Sequence, residues 1–465
     1  MNNDVIDQTR LAEADAVGIP GEIAAPKIRA GRRAFRALRH RNYRLFFAGQ
    51  LISVIGTQMQ MTALPLLIVQ LEPKNSGLWL GIVGFLPLVP LVPFALVAGS
   101  LADRFPKRTI LVITQLTMML QALALGVLAL SHTIQTWHVL VLSFISGAAS
   151  AIDVPARQAF VIEMIDDRDD LDSGIALNSA IFNLGRAFGP VLAGVVIALL
   201  GFGAAFVING VTFLAVIAGL LMMRLAPHPK VATQPRMRTH LSEGLRYVWR
   251  NQTLTILLSL VAVSAFLSAP FLTLVPIFVQ PETVLNNGTI VPAGPLAASA
   301  KPLNDWVCSQ VTCQNPQAVP FGLLLGAFGV GALIGALLVG IYGDRGRGRL
   351  LTLGNLAFPA GLLIFAASRS IWLSMIVLLV VGIVFILQNA LANTLVQYSS
   401  PDQLRGRVMG VYSILFQGMQ GAGRMQAGLT ETFTSAPISV AIGAAASLAY
   451  GLFVLFRWPA IRKLK

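Results

Sequence analysis

The sequence predicts an all-α membrane protein, with twelve transmembrane helices in two pseudo-symmetric six-helix halves. Three observations predict it. The 465 residues are 55% hydrophobic and only 12% charged, with a mean hydropathy of +0.73, whereas a soluble domain carries about 25% charged residues. So much apolar surface is satisfied only if the solvent is lipid. Uncharged runs recur along the chain at the length of a crossing, about 20 apolar residues. A short charged turn is also duplicated. GSLADRFPKR at 99–108 returns as GIYGDRGRGR at 340–349, so that Gly99, Asp103, Arg104 and Arg108 match Gly340, Asp344, Arg345 and Arg349.

The elements follow in order. Residues 1–44 read as a basic N-terminal segment, disordered at first and then a basic interfacial helix. Phe35 and Leu38 among the charges of 27–44 suit an anionic lipid surface. No cleavable signal peptide is expected, because the apolar core of one is missing from this stretch. Spans at 45–70, 78–102, 109–131, 138–156, 174–199 and 203–223 make the first half, residues 45–223. Residues 224–253, with Pro227, Pro229, Pro235 and six basic residues, read as a linker on the cytoplasmic side. The second half, 254–456, carries spans at 254–279, 320–342, 350–368, 371–393, 408–432 and 435–456, and a tail follows at 457–465. An insertion at 281–319, rich in Pro, Asn, Gly and Ala, has no counterpart in the first half and reads as a flexible loop rather than a lid. Cys308 and Cys313 fall within it, where a disulfide and two free thiols are both open. A second repeat pairs span 5 with span 11: GPVLAG at 189–194 against GRMQAG at 423–428. Parallel repeats of six spans, related by an axis along the membrane normal, are an architecture of membrane transport.

Charge orients this pattern. Of the 34 Lys and Arg residues, 29 lie in the N-terminal segment, the tail and the turns of one parity, three lie in turns of the other parity, and Arg186 and Arg424 lie inside spans. Basic loops stay in the cytoplasm, so a multi-pass protein of the inner (plasma) membrane with both termini cytoplasmic is expected. The net charge of +14 is then mainly a topology signal, and no nucleic-acid partner is expected.

Polar residues inside spans are costly against lipid and face inward. Gln50, Ser53, Thr57 and Gln60 share one face of span 1. Ser179, Asn183 and Arg186 share one face of span 5, Asn389, Asn393 and Gln397 one of span 10, and Ser413, Gln417, Gln420 and Arg424 one of span 11. These faces either line a central cavity, with Met59, Met61 and Phe182 as apolar neighbours, or join helices by hydrogen bonds. Arg186 and Arg424 each require a partner: an anionic or carbonyl-rich ligand, an acid, or backbone carbonyls. Gly185, Gly189, Pro190 and Gly194 read as a helix-packing seam in which the proline bends span 5. Two acids are candidates for proton coupling: Asp153, low in span 4, and Glu431, high in span 11. Asp153 is the better, because Arg104, Lys107 or Arg108 would exchange with its proton. The sequence shows no Walker loop, His/Cys metal cluster or nucleophile elbow, so no enzyme, cofactor or metal site is expected.

The pattern G-x-L-A-D-R-x-x-x-R at 99–108 resembles the signature of the major facilitator superfamily, between its spans 2 and 3. GRAFGPVLAG at 185–194 resembles the glycine–proline motif of its antiporter branches. FRALRHRNYRLFFAGQLIS at 35–53, DVPARQAF at 153–160 and LRGRVMGVYS at 404–413 are similar to the branch that contains the enterobactin exporter and macrolide efflux proteins. Two departures stand out. Gly421-Ala422-Gly423-Arg424 lies where relatives often carry a proline, and the second Asp–Arg turn is glycine-rich. The resemblance implies secondary active export of an amphiphilic, drug- or siderophore-like molecule, driven by protons and carried out by two rocking halves. It implies a gate in which Asp103 faces the start of span 11 near Arg407 and Val408. Asp344 would face the start of span 5 near Ser173 and Gly174, with Asp153 and Arg157 in reach. The expected partners are a small-molecule substrate, protons and membrane lipid, for a chain acting as a monomer. Lipid or lysolipid translocation, facilitated diffusion, and a non-transporting receptor or scaffold stay open as alternatives.

Overall fold

The computed structural model describes residues 35–90, 93–94, 105–165, 168–224, 237–284, 290–310, 312–342 and 346–464. The first half holds α1 (Arg41–Leu71), α2 (Ser76–Phe85, prolonged by a 3-10 turn Leu86–Leu88), α3 (Lys107–Leu130), α4 (Thr136–Glu163) and α5 (Arg168–Met222). The linker contributes α6 (Met237–Arg250). The second half holds α7 (Gln252–Val263), a π-turn (Ser264–Ser268), α8 (Phe271–Phe278), α9 (Ala297–Gln310), α10 (Ala318–Tyr342), α11 (Arg347–Ala367), α12 (Ile371–Tyr398), α13 (Asp402–Phe433) and α14 (Ala436–Arg457). Among the described residues nine helices are long and apolar enough to cross a membrane.

One of those nine is two crossings. Gly201 sits at φ +80°, in the left-handed region where a side chain is strained, and the chain doubles back there. Before it, Gly174, Gly185 and Gly189 meet Tyr43, Val54 and Gln58 in ascending order along α1. After it, Gly219 meets Leu45, while Ala215 and Thr212 meet Gly49 and Gly56, in descending order. Together with α2 and the polar α13, this arrangement is consistent with twelve passes.

The apolar core shows how the halves sit. One large cluster joins residues of both halves, with Leu80, Ala193, Ile197 and Phe206 from the first and Phe271, Phe321, Leu324 and Ala427 from the second. It lies at the end of the bundle that carries the 281–319 insert, hereafter the insert end. At the opposite, terminal end, where residues 35–40 and 458–464 lie, each half has its own cluster: Tyr43, Phe46, Leu111, Phe160 and Leu220 in the first, Leu254, Leu351, Leu391 and Val408 in the second. The halves therefore share a core at one end and part at the other.

Two expectations are corrected. The insert, as far as it is described, is ordered and packed on the bundle rather than a flexible loop. Its strands β1 (Thr283–Val284) and β2 (Ile290–Val291) pair antiparallel, Thr283 against Val291, and a Cys308–Cys313 disulfide closes the end of α9. Leu296 and Ala300 are fully buried. Gln314 N donates to Ala198 O (2.7 Å), Leu296 N to Phe278 O (2.9 Å), and Ile371 N to Ser299 Oγ (3.0 Å). A loop-like composition is overridden here by paired backbone and two apolar anchors. The N-terminal segment, as far as it is described, is a 3-10 turn (Arg36–Arg39) docked on the start of α5 rather than an interfacial helix. Arg36 Nε lies 2.9 Å from Asp170, His40 lies 3.2 Å from it, and Ala37 N donates to Ser173 Oγ. The expected lipid-binding stretch before Phe35 lies outside the described residues.

Candidate functional site: the space between the halves

Two seams close the insert end. In the first, α5 lies on α10. A Cβ placed on Gly194 would fall 2.6 Å from Ala318 O, and one on Gly322 would fall 2.5 Å from Pro190 O, while Gly329 meets the Arg186 backbone. In the second, α2 lies on α13. Gly77 meets Gly428 and Glu431, Gly81 meets Met425, Gly84 meets Arg424, and Gly421 meets Leu88. Helices approach this closely only where side chains are absent. The second seam also has polar staples. Arg424 donates to Gly84 O (3.3 Å) and to Gln420 Oε1 (3.2 Å). Glu431 accepts from the Gly77 backbone N–H at the start of α2, where a helix dipole favours an anion.

Toward the terminal end the same helix faces are bare. The face of α13 that buries Gly421, Gly428 and Glu431 against α2 continues as Gln417 and Ser413, and both are exposed. On α5, Phe188, Leu192 and Val195 are exposed apolar residues on one side. A residue turns by about 100° along an α-helix, which puts Ser179, Asn183 and Arg186 on the opposite side, between α1 and α10. Arg186 is exposed there, and it makes no hydrogen bond or ion pair among the described residues. Asn183 Nδ2 donates to Ser179 O (3.0 Å).

Asp153 is 1% exposed and fully engaged. It accepts from Thr114 Oγ1 and Gln115 Nε2, both at 2.8 Å, and pairs with Arg157 at 3.0 Å. Arg157 also donates to Gln50 Oε1 (3.1 Å) and lies 5.2 Å above the Phe182 ring, a cation–π contact. One buried acid is thus linked through one arginine to α1 and α5. Two of the three expected exchange partners of Asp153 are placed elsewhere, and the third, Arg104, lies outside the described residues. Lys107 pairs with Glu163, and Arg108 donates to Leu221 O (2.6 Å), capping the end of α5. Among the described residues it is Arg157 that pairs with Asp153.

The remaining predicted residues divide. Gln60 is buried within the first half, bonded to Gln121 (3.1 Å) and Asn209 (2.7 Å); Ser53 is buried and Thr57 half-buried. On α12, Asn389 donates to Phe385 O (2.7 Å) and Asn393 accepts from Gln397 (2.6 Å). Gly185 and Gly189 lie on α1, Pro190 and Gly194 on α10. Gly340 and Arg349 are exposed at the terminal end, Arg407 pairs with Glu243 of α6, and Tyr43 Oη donates to Gly174 O (2.7 Å). Gly99, Asp103, Arg104, Asp344 and Arg345 lie outside the described residues. Sequence reasoning missed Thr114, Gln115, Gln121 and Asn209. It found Pro190 and Gly194 of the first seam but missed the glycines of α2 and α10, although a signal was present: Gly77, Gly81 and Gly84 share their spacing with Gly322, Gly326 and Gly329.

The Major Facilitator Superfamily profile matches residues 46–423. The chain belongs to the Major Facilitator Superfamily. As a member of it, the chain is a multi-pass membrane transporter and not an enzyme. It is similar to the multidrug efflux pump Tap of Mycolicibacterium fortuitum, 26% identical over 386 residues, covering 80% of this chain and 85% of that protein. It is similar to the enterobactin exporter EntS of Citrobacter koseri, 22% identical over 376 residues, covering 80% and 81%. The superfamily fold is also seen in the crystal structure of the nucleoside transporter NupG, with a TM-score of 0.64, 13% identity, and coverage of 89% of this chain and 99% of that one.

Proposed function

We propose that the chain exports amphiphilic small molecules by alternating access, coupled to proton entry, with the terminal end in the cytoplasm. The observation that carries this reading is the split core: one apolar cluster shared by both halves at the insert end, separate clusters at the terminal end. Such a molecule is open to the cytoplasm, and rocking about the shared core exchanges the closed end for the open one. The drug and enterobactin exporters among its relatives support a substrate of this size and character.

Asp153 is the coupling acid in this reading. When it is charged, it holds Arg157 within the first half. When it takes up a proton, the ion pair is lost and the guanidinium, keeping its contacts to Gln50 and Phe182, is released toward the space between the halves. Asp103, Arg104, Asp344 and Arg345 would latch the terminal end when it closes, against the starts of α13 and α5.

The test uses proteoliposomes with a trapped pH dye, wild type beside Asp153→Asn. Substrate-driven proton flux is expected in the wild type and is lost in the variant, while Asp153→Glu keeps part of it. Transport without proton movement contradicts antiport. A second reading, lipid or lysolipid translocation, is favoured by an open apolar groove of about 200 Å³ beneath α9, lined by Val195, Leu199, Trp306, Val307 and Val319 beside the first seam.

A further inference from the structure

We propose that the space between the halves binds an anionic amphiphile, with the Arg186 guanidinium as the anchor for its acidic group. This names the substrate class of the transport path and rests on the export reading above. The charges of the crossings carry the inference. Asp153 is consumed by Arg157. Glu431 is consumed at the insert end by the Gly77 N–H. Arg424 is held by two neutral acceptors, Gly84 O and Gln420 Oε1. Arg186 has no partner among the described residues. Among the described residues the crossings therefore carry uncompensated positive charge, and the exposed Arg186 contributes it.

Position makes that guanidinium a binding group. Arg186 lies where α5 first meets α10, since its backbone touches Gly329, so it stands at the closed, deep end of the open space. Its face also carries Ser179, Asn183, exposed Ile175 and, one step round, Phe182, giving polar and apolar surface together. A guanidinium offers a planar fork of N–H donors that matches a carboxylate or sulfonate in two parallel hydrogen bonds. A charge at a low-dielectric site is strongly stabilised by an opposite charge and repels a like one. A cationic amphiphile finds no free carboxylate among the described residues of the crossings, and meets Arg186 instead.

The experiment compares fluorescein and rhodamine 123, which share a xanthene ring and carry opposite charge. Binding to the full chain in zwitterionic nanodiscs is read by anisotropy, and flux is read in proteoliposomes. Fluorescein is expected to bind at least about tenfold more tightly than rhodamine 123, a difference of one decade in Kd. Arg186→Gln removes that preference, Arg186→Lys keeps part of it, and both variants retain the wild-type melting temperature. Equal or stronger binding of rhodamine 123, or an equal loss of both dyes in Arg186→Gln, overturns the proposal. The two readings fail separately. Arg186-dependent binding of fluorescein without flux of either dye supports the anion site and contradicts export. Flux of both dyes without charge preference supports export and contradicts the anion site.

Discussion

The two seams at the insert end bring the halves equally close by different chemistry. Between α5 and α10 the contact is backbone on backbone, through Gly194, Gly322, Gly329 and Pro190, and Arg186, whose backbone meets Gly329, makes no hydrogen bond across it among the described residues. Between α2 and α13 the same kind of glycine contact is crossed by two charged groups, Arg424 on the Gly84 carbonyl and Glu431 on the Gly77 N–H. A backbone zipper opens at the expense of dispersion contacts alone. A charged staple adds a directional term that exists only when the seam is shut. The first seam therefore acts as a fulcrum that requires shape, and the second as the seam where charge sets how long the closed state lasts.

The largest effect is expected from filling the fulcrum. Gly322→Leu drives a side chain into Pro190 O and Gly194, so closure of the insert end fails and transport falls by more than about tenfold, overpacking of this kind costing about 1–3 kcal/mol or more. Vesicle flux measures it, and an unchanged rate would show that the seam need not close. Next comes Arg424→Met, which removes a charged hydrogen bond worth about 1.5–3 kcal/mol. Spin-label distances between the insert ends of α2 and α13 are expected to shift toward the open population, while distances across α5 and α10 follow without a change in width. Glu431→Gln should move the same population in the same direction by less, since an anion at a helix N-terminus is worth about 0.3–1 kcal/mol. The smallest effect is expected from Cys308→Ser with Cys313→Ser. The disulfide closes a loop within the insert and crosses neither seam, so flux should stay within about twofold of wild type, well under 1 kcal/mol.

Much of this was legible in the sequence, and the rest was not for identifiable reasons. The crossings follow from uncharged runs, and the reversal at Gly201 from a Gly-Phe-Gly break in an otherwise continuous apolar stretch. The stripe through Ser179, Asn183 and Arg186 follows from helical spacing. Gln60 shows the limit of that method. It lies on a polar face, yet that face is closed by Gln121 and Asn209, which come from distant spans. Spacing gives the face of a helix but not the neighbour that covers it. The seam glycines of α2 and α10 were hidden in the same way, because small residues are common in membrane helices and only the partner helix distinguishes a seam from chance. The order of the insert depends on Gln314 reaching Ala198 and Ser299 reaching Ile371, contacts that composition does not encode.

The central claim is that the insert end opens and closes in each transport cycle. It is tested most directly by cross-linking the α2–α13 seam. With Cys308 and Cys313 replaced by Ser, Gly81→Cys and Met425→Cys form a pair that faces across the seam, a Cβ on Gly81 lying a tight 3.2 Å from Met425 Cα, within reach of a disulfide, and the reduced pair is first shown to transport. The account predicts that oxidation stops substrate flux and that reductant restores it, while the binding affinity at the open terminal end is unchanged. Full flux through quantitatively cross-linked protein would contradict it.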